Sequence, residues 1–483
     1  MKQRNWEIIT LAAILVFGLL LRVYDLGKPV FWIDEATSSI AAKEILEKGL
    51  PILDSGMLYS RSYFFHYIQA GFLFFGNNEF FARFPSVIFG LLTVFLAFKI
   101  GKEYSKTGGI ISALFMAVFY LEVFFSRQAR FYQLFQLAFF ASLYFLYKSR
   151  ENGKENRNYL YAALICFAVA FDTQIEALVL APFFVIHILC FNKQKWLALL
   201  PAIPLVSQFF PALGLSASST VSAVNYASDY YSFAYKMRYL LILFIPGVIW
   251  GFVKTSETSV SDGAQNSKNS DKKRLTLLLI LPSLVALLGI FTLKTFALRY
   301  SYFFAFPLVL YSSLLLSFLY EKYGKIMIVT IIAVLLFPSN LFFPYSYVNV
   351  IMPVSVNLRD YSAPYTDYKN LPSDLVLKMR NSVLVSYFSS DVEWYVKKPD
   401  FALAYSMTGI GEDQISMINQ EGIRVDRYSG AKIIEDKPDG KYYLTADSFS
   451  VSKLSARQKA LHDLIIENCS VAYDSSDLNI YLC

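Results

Sequence analysis

The sequence predicts a polytopic α-helical membrane protein with a small α/β domain on the far side of the membrane. Three observations carry this. Of the 483 residues, 55% are hydrophobic and only 17% are charged, where soluble domains average about a quarter charged; the mean hydropathy is +0.43. About eleven apolar runs of near-spanning length follow one another as far as residue 343. From residue 345 the composition turns soluble, with 14 Lys and Arg against 18 Asp and Glu, whereas the first 344 residues hold 30 against 19. A basic membrane part is what Lys- and Arg-rich cytoplasmic loops produce, so the net charge of +7 is no argument for nucleic acid.

The first run, residues 8–24, is preceded by Lys2 and Arg4 and followed by Arg22 and Tyr24 rather than by a small-residue cleavage site. It is expected to remain as an anchor with its N-terminus in the cytoplasm. Further spans are expected at 80–100, 109–125, 132–147, 159–171, 175–191, 196–213, 239–253, 275–291, 300–320 and 326–343. The connections at 99–106, 148–157, 192–195, 267–274 and 321–325 are Lys- and Arg-rich and fall on the side of the N-terminus. With an odd number of spans the polar tail then lies outside the cytoplasm, and the protein is a multi-pass protein of the cell membrane. The first outer loop, 25–79, contains two amphipathic stretches, 36–48 and 62–75, that read as helices along the membrane surface. Residues 216–238, rich in Ser and Tyr, fit either a mobile lid or a passive linker, and 255–274 read as a flexible cytoplasmic linker.

In the tail, 382–388, 471–473 and 479–482 read as strands and 456–468 as a helix. A hairpin turning near Ser476 brings Cys469 and Cys483 face to face, and a disulfide there requires an oxidising compartment. Cys166 and Cys190 fall in apolar runs and read as core thiols.

Three outer junctions carry candidate chemistry. Asp34 and Glu35 follow the first span by about ten residues, where a carboxylate can deprotonate a hydroxyl or hold a metal ion beside a lipid head group. Arg22, at the outer end of that span, either snorkels or pairs with those acids. Arg127 and Arg130 sit at the outer junction of the third and fourth spans, against the positive-inside trend, which points to a bound anion. Lys294, Arg299 and Tyr300 form the third junction. Acids beside guanidinium groups at a membrane surface suit a lipid phosphate as leaving group and a carboxylate as base.

Three motifs occur in order: Trp32-Ile33-Asp34-Glu35-Ala36, Phe75-Gly76-Asn77-Asn78-Glu79-Phe80-Phe81-Ala82-Arg83-Phe84-Pro85-Ser86, and Ser126-Arg127-Gln128-Ala129-Arg130-Phe131-Tyr132. Together they resemble the GT-C membrane glycosyltransferases, in the branch of protein O-mannosyltransferases and lipid A aminoarabinose transferases. The resemblance is firm over residues 1–150, weaker to 320 and loose in the tail. It implies a GT-C catalytic domain over 1–344 and a separate extracytoplasmic domain over 345–483. It also implies inverting transfer of a hexose or pentose from a polyprenyl- or dolichyl-phosphate sugar to a hydroxyl of a glycan, lipid or protein acceptor, at the extracytoplasmic face. Asp34 would then be the base or a metal ligand, and Glu35 would orient the acceptor or metal. Arg130, Arg299 and Tyr300, with Arg127 and Lys294, would hold the donor phosphate.

Two departures bear on this. Mannosyltransferases of this type carry a His-Pro-Pro-like stretch after the acid pair, where this chain has Ser62-Tyr63-Phe64-Phe65-His66. Relatives often have an acid at the position of Tyr132, whose loss counts against a bound divalent ion. Arg61, His66, Tyr132, Asp172 and Glu176 remain as acceptor-side or supporting candidates, the last two expected one helical turn apart. A transporter or flippase would put charges in mid-span and repeat one half in the other. A non-catalytic binder of lipid-linked sugar would keep the fold and not need Asp34.

Overall fold

A long run of apolar side chains drives the first helix, α1 (Lys2–Val23). The computed structural model describes residues 2–204, 238–253, 263–289, 298–324, 366–387, 389–403, 416–434, 436–452, 454 and 456–483. The chain divides into two compact units, Met1–Tyr24 with Ser86–Val354, and Asp25–Pro85 with Ser355–Cys483. The first loop therefore clusters with the C-terminal residues, a grouping that the compositional boundary at 345 does not reveal.

The first unit is helical. Its elements after α1 are most of α4 (Glu79–Tyr104), α5 (Lys106–Val118), α6 (Tyr120–Phe125), α7 (Tyr132–Lys148), α8 (Arg157–Thr173), α9 (Ala181–Phe191), α10 (Arg238–Val253), α11 (Gly263–Gly289), α12 (Leu298–Ser301) and α13 (Ala305–Tyr323). Helix α7 packs on α8, α10 on α13, and α5 on both α1 and α13. Among the described residues three helices are long and apolar enough to cross a membrane: Trp6–Val23, Glu79–Tyr104 and Arg299–Tyr323. Shorter apolar helices lie at Lys106–Val118, Ile175–Phe191 and Leu240–Phe252, so the expected count of about eleven is not established.

Several expected runs are broken. The run 109–125 is cut at Phe119, whose backbone is extended (φ −61°, ψ 127°). Arg22 occupies the break. Its guanidinium donates to Ala117 O (2.8 Å), Met116 O (3.3 Å), Gly18 O (3.1 Å) and Ser126 Oγ (2.9 Å) and is fully buried. Arg22 neither snorkels nor pairs with the acids of the first loop; it satisfies carbonyls that the end of α5 leaves open. A Cβ on Gly90 would lie 2.9 Å from its Nε and 2.6 Å from the Ser126 Cβ, so the closeness of α4 requires glycine there. The run 175–191 opens with a 3₁₀ turn, Ile175–Leu180, before α9. The hydrophilic stretch expected as a flexible linker is helical from Gly263, within α11. Cys190 is exposed and Cys166 half-buried, so neither is a fully buried core thiol. The possible lid, 216–237, and the run 326–343 lie outside the described residues.

Helices α10 and α13 approach closely at Gly247, where a Cβ would come 2.1 Å from the Tyr311 carbonyl oxygen. Backbone cannot yield as a side chain does. Gly247→Ala is expected to cost about 1–3 kcal/mol by overpacking, read as a lowered thermal midpoint of the purified protein; an unchanged midpoint would refute the close crossing.

The second unit joins α2 (Ile33–Lys48) and α3 (Tyr63–Leu73) to the C-terminal domain. Helix α2 is buried from Glu35 to Ala42 and packs on α3, so it is a core helix of this unit and not one lying on a surface. Helix α3 does leave Phe64 and Tyr67 exposed, and Phe74 and Phe75 follow it exposed. The domain is an eight-stranded sheet in the order β3-β4-β5-β2-β1-β6-β8-β7. Its strands are β1 (Val383–Ser386), β2 (Phe401–Leu403), β3 (Ser416–Ile418), β4 (Arg424–Asp426), β5 (Lys432–Ile434), β6 (Tyr442–Asp447), β7 (Ser470–Asp474) and β8 (Leu478–Leu482). β5, β2, β1 and β6 run parallel, and β6 is buried at every residue, as central parallel strands are. The last hairpin forms as expected, and a disulfide joins Cys469 to Cys483 across it. Helices α14 (Ser373–Arg380), α15 (Ser389–Tyr395), α16 (Ser448–Ser452) and α17 (Ala456–Ile466) accompany the sheet.

Candidate active site

Within the second unit, Trp32 with extended backbone ends the first turn-rich stretch and starts α2, which puts Asp34 and Glu35 in its first turn, where the helix dipole favours acids. The two acids then differ. Glu35 is buried, and both its oxygens accept from Arg83, Oε1 from Nε and Oε2 from Nη2, each at 2.8 Å. Arg83 also donates to Leu26 O (2.9 Å), Pro29 O (2.8 Å) and Val30 O (2.9 Å) and lies over the Phe31 ring. This fork holds the loop before α2 rigid. Asp34 is partly exposed on that fixed turn. The expectation that Glu35 orients an acceptor or metal therefore meets a carboxylate already saturated by Arg83.

The C-terminal domain closes on the same helix. Thr37 Oγ1 donates to Ser390 Oγ (2.9 Å), Phe31 N donates to the Tyr395 hydroxyl (2.8 Å), and Phe31 packs on Trp394 (5.1 Å between centroids). The Tyr395 hydroxyl donates to Glu79 Oε1 (3.1 Å), which also pairs with Lys369 (2.9 Å). On α15 the buried Asp391 is held well above the usual carboxylate range, by burial first and then by the charges of Asp447, Asp34 and Glu35. Tyr428, in the turn between β4 and β5, is pushed up by burial and by Tyr59 and Asp34, with Arg61 and Arg427 opposing. Asp34 thus has Asp391 and Tyr428 within electrostatic range, and Tyr428 in turn feels the exposed Arg61.

His66 is fully buried, with Nδ1 2.7 Å from Ser62 O and its ring edge-on to Tyr59 (5.2 Å) and Phe65 (5.5 Å). Glu393, two residues after Asp391, is raised to about 8 by burial and by Asp54, Asp426 and Glu44, against Lys398. The folded state keeps a proton there that the unfolded chain releases above about pH 4.5, so stability falls as pH rises from that value to about 8. Glu393→Gln is expected to remove this slope, gaining on the order of 4 kcal/mol at pH 8 and nothing at pH 4. Parallel melting curves of variant and wild type across that range would refute the assignment.

Within the helical unit, Arg127 donates to Leu21 O (3.1 Å), Arg22 O (3.3 Å) and Tyr24 O (2.6 Å), capping the end of α1. Arg130 is buried over the rings of Phe131 (4.5 Å) and Tyr132 (5.5 Å), and its carbonyl accepts from Ser86 Oγ (3.0 Å). Tyr132 is the buried first residue of α7. Arg299 and Tyr300 lie on α12, half-buried, with the guanidinium over the Tyr300 ring (5.4 Å). Lys294 lies outside the described residues. Asp172 and Glu176 are not one helical turn apart: α8 ends at Thr173, and Gln174 is extended (φ −149°, ψ 139°). Between these groups runs a buried polar network. The Tyr302 hydroxyl is 2.8 Å from Glu122 Oε2 and 2.6 Å from Gln133 Oε1, and Gln136 Nε2 donates to Glu122 Oε1 (2.7 Å).

Among the described residues no three His, Cys, Asp or Glu side chains gather as metal ligands. The sequence reading missed Arg83, Asp391, Tyr428, Glu122 and Tyr302. Arg83 and Glu122 were findable, since a charge inside an apolar helix needs a buried partner; the others are ordinary residues until the fold brings them together.

Residues 61–213 match the family model described as dolichyl-phosphate-mannose-protein mannosyltransferase. No curated protein sequence matches the chain. Among solved structures, ArnT from Cupriavidus metallidurans bound to undecaprenyl phosphate is similar over 99% of this chain and 98% of that one, at 10% identity and a TM-score of 0.58. The archaeal oligosaccharyltransferase AglB from Archaeoglobus fulgidus, in complex with an inhibitory peptide and a dolichol-phosphate, is similar over 92% and 70%, at 11% identity and a TM-score of 0.57. With helices and a C-terminal sheet domain that align with ArnT nearly end to end, the chain has the fold of the GT-C membrane glycosyltransferases.

Proposed function

We propose that the protein is an integral membrane glycosyltransferase that moves a sugar, hexose or pentose, from a polyprenyl- or dolichyl-phosphate donor to an acceptor hydroxyl, with inversion, at the extracytoplasmic face. The observation that carries this is Asp34, a part-exposed carboxylate on a helix turn that Glu35 and Arg83 hold rigid. The fold shared with a lipid-phosphate-bound transferase along nearly the whole chain supports it, and so does the run of Lys- and Arg-rich connections on the N-terminal side.

Asp34 takes the proton of the acceptor hydroxyl as that oxygen attacks the anomeric carbon from the face opposite the phosphate. The bond from that carbon to the phosphate oxygen breaks, and the electron pair leaves with the lipid phosphate. Arg130, Arg299 and Tyr300 receive the charge. Arg127 holds the end of α1 in place. Glycan, lipid and protein acceptors all offer the required hydroxyl.

The test is a panel of radiolabelled polyprenyl-phosphate sugars offered to membranes containing the protein, with and without a chelator. Label transferred from one donor supports the reading and names the sugar, and the chelator arm decides the metal. No transfer from any donor of a wide panel would overturn it.

A further inference from the structure

Two arginine-bearing segments of the helical unit, 126–132 and 298–301, are far apart in sequence and meet through one side chain. Tyr302 directly follows α12 and is 1% exposed. Its ring stacks on Phe125 at 4.0 Å, and Phe125 meets the edge of Tyr132 at 5.7 Å. Tyr132 is the ring that the Arg130 guanidinium overlies at 5.5 Å. Three rings in a row therefore run from Arg130 to the residue three places after Arg299.

The hydroxyl fixes the rotation of that stack. It faces Glu122 Oε2 (2.8 Å), Gln133 Oε1 (2.6 Å) and Gln136 Oε1 (3.2 Å), and its single proton serves them in turn. Gln133 Nε2 in turn donates to Thr93 Oγ1 (3.0 Å) on α4. Glu122 on α6 and the two glutamines on α7 flank the 126–131 turn on both sides. The next residue, Phe303, is wedged between Phe135 (5.7 Å) and Phe139 (5.4 Å). The stack ties the turn that carries Arg130 to the residue that follows the helix of Arg299, and a planar, directional donor loses its bidentate geometry with an error of about 1 Å.

We propose that Tyr302 is a positioning residue that registers Arg130 and Arg299 as one clamp for the lipid phosphate. This rests on the transferase reading above. It concerns binding of the phosphate, and so it has a readout apart from transfer.

The experiment uses the full chain in nanodiscs, with undecaprenyl phosphate as the probe for binding and the active sugar donor for kinetics. Tyr302→Phe keeps the stack and removes the hydroxyl. It is expected to weaken undecaprenyl phosphate binding and raise the donor KM about tenfold, with acceptor KM unchanged and kcat within about twofold. If Tyr302→Phe does not fold, Phe125→Leu, which breaks the stack and leaves the hydroxyl, is expected to give the same donor-selective loss. Unchanged donor affinity in the variant that folds, or equal losses toward donor and acceptor, would overturn the proposal. A wild type that binds no undecaprenyl phosphate would instead overturn the transferase reading itself.

Discussion

Asp34→Asn is expected to abolish sugar transfer while leaving the protein folded and able to bind its lipid donor. The loss should be about 10²–10⁴-fold in kcat, the contribution typical of a general base, with donor KM little changed. The structure makes the variant a clean one. Asp34 is partly exposed, and the rigidity of its turn comes from Glu35 and Arg83, which the substitution does not touch. Near-normal turnover in membranes containing Asp34→Asn would remove it as the base. The search for the base would then move to Asp172 and Glu176.

Arg83→Met is expected to be the most destabilising single change in the second unit. It leaves Glu35 buried with an uncompensated charge and withdraws the donor from three loop carbonyls. Breaking a buried pair from one side costs about 3–5 kcal/mol. Limited proteolysis should then cut the 25–32 stretch that Arg83 holds. The double variant Glu35→Gln with Arg83→Met should recover part of the loss, because the stranded charge is gone. A single variant as protease-resistant as wild type would mean that the fork is ornamental to the loop's order.

These two residues also show how far the sequence could be read. Asp34 was legible because an acid pair soon after an apolar run is a local pattern. The pairing of Glu35 with Arg83 was not legible because its partner lies 48 residues on, and no local signal joins the two. Hydropathy placed α4, α7 and α13 to within a few residues, yet it could not show the break at Phe119. That break depends on Arg22, which hydropathy scores as a span-end charge and which in the fold serves the carbonyls of another helix. In the tail, β1, β7 and β8 alternate or cluster apolar residues enough to be recognised. β2 to β5 are three residues each, too short for any periodicity, and they exist because the sheet pairs them.

The bond from Thr37 to Ser390 spans 353 residues of chain. On a ribosome adding about 5–20 residues per second, the helix that carries the acid pair waits roughly 20–70 s for the partner that buries it. During that interval α2 has only α3 to pack on, and Asp34 lacks the surroundings that the C-terminal residues supply. The second unit is therefore completed late in biosynthesis, once the C-terminal residues have been made and have packed against α2.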